Sequence, residues 1–166
     1  MYPQTWILTL LNLGLNGEGG TALTGEYAKG DTATCFVLPD SKKVDIATQE
    51  KPFFDNALRK AISQKGDGVY LNFKIGAIEQ REVDGGKYAI VQFKYVLITG
   101  AGVEVSRTAT ASVTSTGKEV QLLWVTTISA RAKKVKNDLD DIVGSFRGYG
   151  DGIKSDVADE TWKPQV

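Results

Sequence analysis

The chemistry open to this chain is limited first by a missing side chain. No histidine occurs among its 166 residues. That removes the usual general base, the triads that depend on an imidazole and most transition-metal sites. The one cysteine, Cys35, stands in the apolar stretch Thr34-Cys35-Phe36-Val37-Leu38. It reads as a buried core thiol, and alone it can form neither an intrachain disulfide nor a structural zinc site. Gly25 and Gly30 have P-loop spacing, but Asp31 replaces the lysine and would set a negative charge where a phosphate belongs. Gly17-Glu18-Gly19-Gly20 lacks both the dinucleotide spacing and a following helix. Asp138, Asp140 and Asp141 form a concentration of carboxylates late in the chain's last predicted helix. A weak calcium association is conceivable there, but the EF-hand pattern is missing, and the cluster reads as solvated surface acids. Neither a catalytic residue nor a resident cofactor or metal site is expected.

One charge feature is less ordinary. Arg131, Lys133, Lys134 and Lys136 lie just ahead of the three aspartates. In a helix this order opposes the macrodipole, which favours acids at the N-terminus and bases at the C-terminus. Lys134–Asp138 and Lys136–Asp140 would be i,i+4 pairs in the less favourable direction. Two explanations stay open: tolerance of a small cost, or a partner surface that uses the bases. On the second, Arg131, Lys133, Lys134 and Lys136 are the candidate protein-binding residues.

The whole-chain balance limits the partner. Lys+Arg and Asp+Glu both number 20, a net charge of zero, which argues against general attraction to nucleic acid or anionic lipid. The longest apolar run, Trp6 to Leu11, is interrupted by Thr9 and is far short of the roughly 20 residues of a membrane span. No basic residue precedes it and no small-residue cleavage motif directly follows, so any targeting segment is expected to have been removed or never to have existed.

The elements that must position these residues follow from periodicity. From Val69 to Ala77 the odd positions are apolar, which predicts a strand burying Val69, Leu71, Phe73, Ile75 and Ala77. Asp84-Gly85-Gly86 is a turn signal. Ala89, Val91, Phe93, Tyr95 and Leu97 then form one face of a second strand. A third alternates Val103, Val105, Ala109, Ala111 and Val113 with Thr and Ser. The fourth, Val120–Ile128, is apolar on both faces and so is expected to be the most covered. Short turns between them imply an antiparallel meander.

A helix is expected after it. Ala132, Val135, Leu139, Ile142, Val143 and Phe146 make one stripe, with Ser129 as N-cap and Gly148 beyond the end. Pro52–Gln64 predicts another helix, with Phe53, Phe54, Ala57, Leu58, Ala61 and Ile62 on its apolar side. Trp6–Leu11 and Ala33–Leu38 read as strands, joined by an exposed connection over 12–30 with room for a short strand. The fold class is α+β, an antiparallel β-sheet flanked by helices, in residues 1–148; residues 149–166 read as a polar tail.

Several phrases, in order, resemble the PsbP family. They are Tyr2-Pro3-Gln4-Thr5-Trp6 at the start, Pro39-Asp40-Ser41-Lys42-Lys43 after an early strand, Val83-Asp84-Gly85-Gly86-Lys87-Tyr88 at a hairpin, and Val143-Gly144-Ser145-Phe146 at the close. The resemblance implies an α/β/α sandwich, a thylakoid-lumen location in a chloroplast or cyanobacterium, and peripheral attachment to photosystem core or antenna subunits without a transmembrane segment. The best-known members sit on photosystem II and help retain calcium and chloride at the oxygen-evolving complex. Here the chain opens at the Tyr-Pro phrase, without the extended arm used for ion retention and without the histidines that some members use for metal. The expected role is therefore that of a non-catalytic extrinsic protein docking on a photosystem, photosystem II first, with photosystem I association or assembly as the alternative. A small-ligand or calcium-binding module is the reading from a different class.

Overall fold

The computed structural model describes residues 6–10, 22–40, 42–63 and 69–148. The tail at 149–166, the residues before Trp6 and most of the glycine-rich connection lie outside the described residues. Seven strands form one antiparallel sheet: β1 (Ile7–Leu10), β2 (Ala22–Glu26), β3 (Asp31–Pro39), β4 (Val69–Val83), β5 (Gly86–Ile98), β6 (Glu104–Ser115) and β7 (Glu119–Ile128). Their spatial order is β1-β2-β3-β7-β6-β5-β4. The meander β4 to β7 is present as expected, and β3 joins it to the N-terminal strands by pairing along β7. Helix α1 (Lys51–Ser63) packs on one face of the sheet and α2 (Lys136–Gly144) on the other. The architecture is the expected α+β sandwich of three layers.

Alternation along β7 divides the interior into two cores. Val120, Leu122 and Trp124 point toward α1, where they meet Phe54, Leu58 and Ile62. Leu123 and Val125 point the other way and meet Leu139, Ile142 and Val143 of α2. The α1 side holds an aromatic cluster. The Phe93 and Trp124 rings lie edge to face with centroids 4.4 Å apart, and Phe73 stacks on Phe93 at 5.2 Å. The Arg59 guanidinium lies 4.8 Å from the Phe73 ring centre.

The short strand for which the N-terminal connection had room is β2, which pairs with both β1 and β3 and includes Gly25. A side chain there would place its Cβ 2.5 Å from the Asp31 carbonyl oxygen, so the glycine serves close strand approach rather than any phosphate.

Two other expectations need correction. The odd-numbered face of the first meander strand is right only at its centre. Ile75 is buried and Phe73 packs on the α1-side core, but Val69, Leu71 and Ala77 are exposed. Two register shifts, between Leu71 and Lys74 and between Ile75 and Ile78, each add one residue to β4 relative to β5. Every added residue inverts the alternation. The core-facing residues accordingly become Tyr70, Phe73, Ile75 and Ile78.

The closing helix is shorter than its apolar stripe suggests. Ser129–Arg131 is a 3-10 turn, 132–135 is a further turn, and α2 begins only at Lys136. Ser129 does not cap it. Its hydroxyl is 2.9 Å from that of Thr108, while Arg131 reaches back to Asp31. These ties to the sheet override local helix propensity. The macrodipole conflict is reduced to Lys136 at the start of α2 and Asp140 and Asp141 in its second half. Three of the four bases precede α2, and Asp138 sits favourably in its first turn.

Candidate functional site

The two faces of the sheet are covered unequally, and this asymmetry creates the site. Helix α2 packs on β6 and β7. The same face of β5 and β4 extends beyond the helix. Leu97 faces the α1-side core, so its neighbours Val96 and Ile98, together with Lys94 and Gln92, lie on the α2 side. Cross-strand pairing puts Lys74 opposite Lys94, Leu71 opposite Val96 and Val69 opposite Ile98. This uncovered strip is therefore basic in the middle and apolar at one end, with Val69 49% and Leu71 41% exposed.

A groove of about 410 Å³ lies between the strip and the segment entering α2. Lys74 and Lys94 stand on the sheet side; Lys133 and Lys136 stand on the helix side. Gln92 and Thr110 contribute polar groups, while Gly76, Ala132 and Leu139 give it an apolar floor. Of the four cations, only Lys136 is ion-paired, to Asp140 on the next helical turn. Lys74, Lys94 and Lys133 form no ion pair or hydrogen bond among the described residues. Like charges placed directly opposite on neighbouring strands are destabilising, so the Lys74–Lys94 pairing is a cost with no structural return.

The structure thus separates the four candidate bases. Lys133 and Lys136 join the groove, whereas Arg131 and Lys134 line a neighbouring hollow of about 240 Å³. Charge is balanced in that second place. Arg131 Nη2 donates to Asp31 Oδ2 at 2.7 Å, the Thr127 hydroxyl donates to Asp31 Oδ1 at 2.5 Å, and Lys29 pairs with Glu26 at 2.5 Å. The hydrogen bond to Asp31 is the main cause that raises the Arg131 pKa above its already high ordinary value. The Asp31 side chain is only 4% exposed, so Arg131 holds the end of the sheet together as well as adding surface charge.

The carboxylates of α2 do not converge. Asp140 is engaged by Lys136 and Asp138 faces the second hollow. Among the described residues no three metal-binding side chains stand close enough to hold an ion. Cys35 is half-buried against the α2-side core rather than sealed within it, and burial raises its thiol pKa.

Sequence reasoning missed Lys74, Lys94 and Arg107. The lysines fall on the polar side of ordinary alternating strands, and nothing local reveals that they face each other. Arg107 did leave a trace. It breaks the odd-numbered apolar series of its strand between Val105 and Ala109. It is 7% exposed, its Nε has no hydrogen-bond partner, and it pairs across the sheet with Tyr95. Burial raises the pKa of the nearby Tyr70 phenol, Tyr95 adds to the rise, and the Arg107 charge opposes it.

No family model matches the chain, and no curated protein matches it. Solved structures do. Cyanobacterial PsbP (CyanoP) from Synechocystis sp. PCC 6803 superposes with a TM-score of 0.63 at 18% identity, covering 89% of this chain and 84% of that one. A protein of unknown function, PA94 from Pseudomonas aeruginosa, described as a putative regulator, aligns at 14% identity over 88% of this chain and 85% of that one, with a TM-score of 0.43. The first likeness shows the fold to be PsbP-like. No helix among the described residues is long and apolar enough to cross a membrane.

Proposed function

We propose that this chain is a non-catalytic extrinsic protein of the thylakoid lumen that docks peripherally on a photosystem, on the oxygen-evolving side of photosystem II, and stabilises the complex. The carrying observation is the position of the basic segment on a PsbP-like fold. Lys133 and Lys136 stand at the turn into α2 beside a sheet strip that no helix among the described residues covers, and Lys134 stands on the same turn over the neighbouring hollow. Arg131, bonded to Asp31, fixes that turn to the sheet and presents the lysines. Lumenal acidic surfaces of core or antenna subunits are the complementary partner; such contacts act mainly on association rate and register. The protein works by shape and charge, without a resident cofactor.

The test is pelleting with photosystem II-enriched membranes over a salt series. The double variant Lys133→Glu with Lys134→Glu should lose most of its membrane-bound fraction at low salt, and the wild-type fraction should fall as salt rises. Equal pelleting of both proteins at every ionic strength would overturn the reading.

A further inference from the structure

We propose that the groove between the open strip of β4–β5 and the segment entering α2 is a binding site for a small amphipathic anion: one molecule with a carboxylate, sulfonate or phosphate head and a compact apolar body. Four cations and one carboxylate line the groove, and that carboxylate is taken by Lys136. Three ammonium groups therefore remain around one concavity without an anion among the described residues. Two of them, Lys74 and Lys94, come from directly paired positions of neighbouring strands. Such a pair is modestly destabilising, and an anion between the heads would relieve it. Lys136 is also the first residue of α2, so the positive end of that helix abuts the same space.

The remaining surface fits the rest of such a ligand. Gly76 has no side chain, and Ala132 and Leu139 are apolar, so the floor accepts hydrocarbon or a ring. Gln92 and Thr110 can bond the head, while the Thr108 hydroxyl is already engaged by Ser129. Beyond Lys74 and Lys94 the strip turns apolar at Leu71 and Val69, a track for a longer body. The volume of about 410 Å³ is that of a small-molecule site. A flat bilayer would meet only the rim, and the concavity is too small for a folded domain. This site shares Lys133 and Lys136 with the docking surface but does not depend on a photosystem partner.

The experiment is a fluorescence titration of the full chain with 1-anilinonaphthalene-8-sulfonate, with decanoate and inorganic phosphate as competitors. The expected result is saturation at one probe per chain and displacement by decanoate but not by phosphate at equal concentration. Lys74→Gln with Lys94→Gln should weaken the probe about tenfold or more, as loss of charge-assisted bonds implies, while the melting temperature stays the same or rises. Lys51→Gln, exposed on α1, is the control and should bind as wild type. Equal probe affinity in the double variant would overturn the proposal, as would equal displacement by phosphate. So would lysine-dependent sedimentation with phosphatidylglycerol vesicles in a protein that binds neither probe nor decanoate. Pelleting of the double variant with photosystem II-enriched membranes reads the docking role separately. Retained pelleting with lost probe binding keeps both proposals, and retained probe binding by wild type without any pelleting leaves the groove standing alone.

Discussion

At the scale of single residues, the charges that matter most to the fold are bonded to distant parts of the chain. Asp31 and Arg131 lie 100 positions apart, and their pairing is what makes Arg131 structural. Asp40 is the clearest case. It directly follows β3 and is 7% exposed, and its carboxylate accepts from the amides of Lys42 at 3.1 Å and Val44 at 2.8 Å and from the Ser115 hydroxyl at 2.9 Å. One side chain thereby gathers the amides of Lys42 and Val44 and ties them to the end of β6. Removing it would leave two amides and a hydroxyl without their acceptor. Asp40→Ala should therefore cost about 2 kcal/mol in urea denaturation, and Asp40→Asn less, because an acceptor oxygen remains. An unchanged urea midpoint in Asp40→Ala would show that water replaces these bonds without penalty.

At the scale of elements, legibility depended on whether periodicity ran uninterrupted. The faces of β5 follow directly from its alternation, and the apolar character of β7 on both sides correctly marks it as covered on both, because neither strand carries an extra residue against its own period. The α1 stripe is likewise a clean helical period, and its bounds move by only one residue. On β4 two insertions inverted the faces, yet both left marks in the sequence. Asn72 lies in the first irregularity with φ +52°, and Gly76 lies in the second. Asparagine tolerates the left-handed region and strand glycine often marks a bulge, so these residues were readable signals. The groove was not readable in this way. Lys74 faces Lys94 only because the first insertion sets the register, and that is a property of two strands together. Asn72→Gly should be neutral or slightly stabilising by equilibrium unfolding. Asn72→Val should cost about 1–2 kcal/mol, since a β-branched residue resists positive φ. Equal stability of the two would mean that the bulge relaxes to another geometry. The bulges also disrupt the free edge of the sheet, which discourages pairing with another chain.

At the scale of the whole molecule, two of the phrases that carry the PsbP resemblance, the hairpin at residues 83–88 and the close at 143–146, meet in space and hold the layers together. Arg147 Nε donates to Asp84 at 2.9 Å, Phe146 sits edge-on to Tyr88 with centroids 6.5 Å apart, and the Gly148 amide donates to the Tyr88 hydroxyl at 3.2 Å. The end of the α2 layer is thus latched to the β4–β5 hairpin, where Asp84 and Gly85 both have positive φ, as a tight hairpin turn requires. The same hairpin is tied to the loop before α1 by Lys87 and Asp45 at 2.9 Å. Both helices are fastened to one sheet, and β7 contributes a side chain to each core at alternate positions. A cut on either face should therefore be felt by the whole sheet. Leu58→Ala opens the α1-side core and Ile142→Ala the α2-side core, and each should cost about 2–5 kcal/mol as a large-to-small change at a buried site. Each variant should still unfold in one transition, with tryptophan fluorescence and far-ultraviolet circular dichroism coincident in urea. Trp6 lies in the α2-side core, so the fluorescence is read with Trp6 and Trp162 replaced by phenylalanine; Trp124, fully buried toward α1, then reports one face, while the circular dichroism reports all the strands. If Ile142→Ala moved the circular dichroism transition and left the fluorescence transition in place, the α2 layer would be a separate cooperative unit. The groove would then open without unfolding the sheet, because its helix-side wall would detach from a sheet that remains folded.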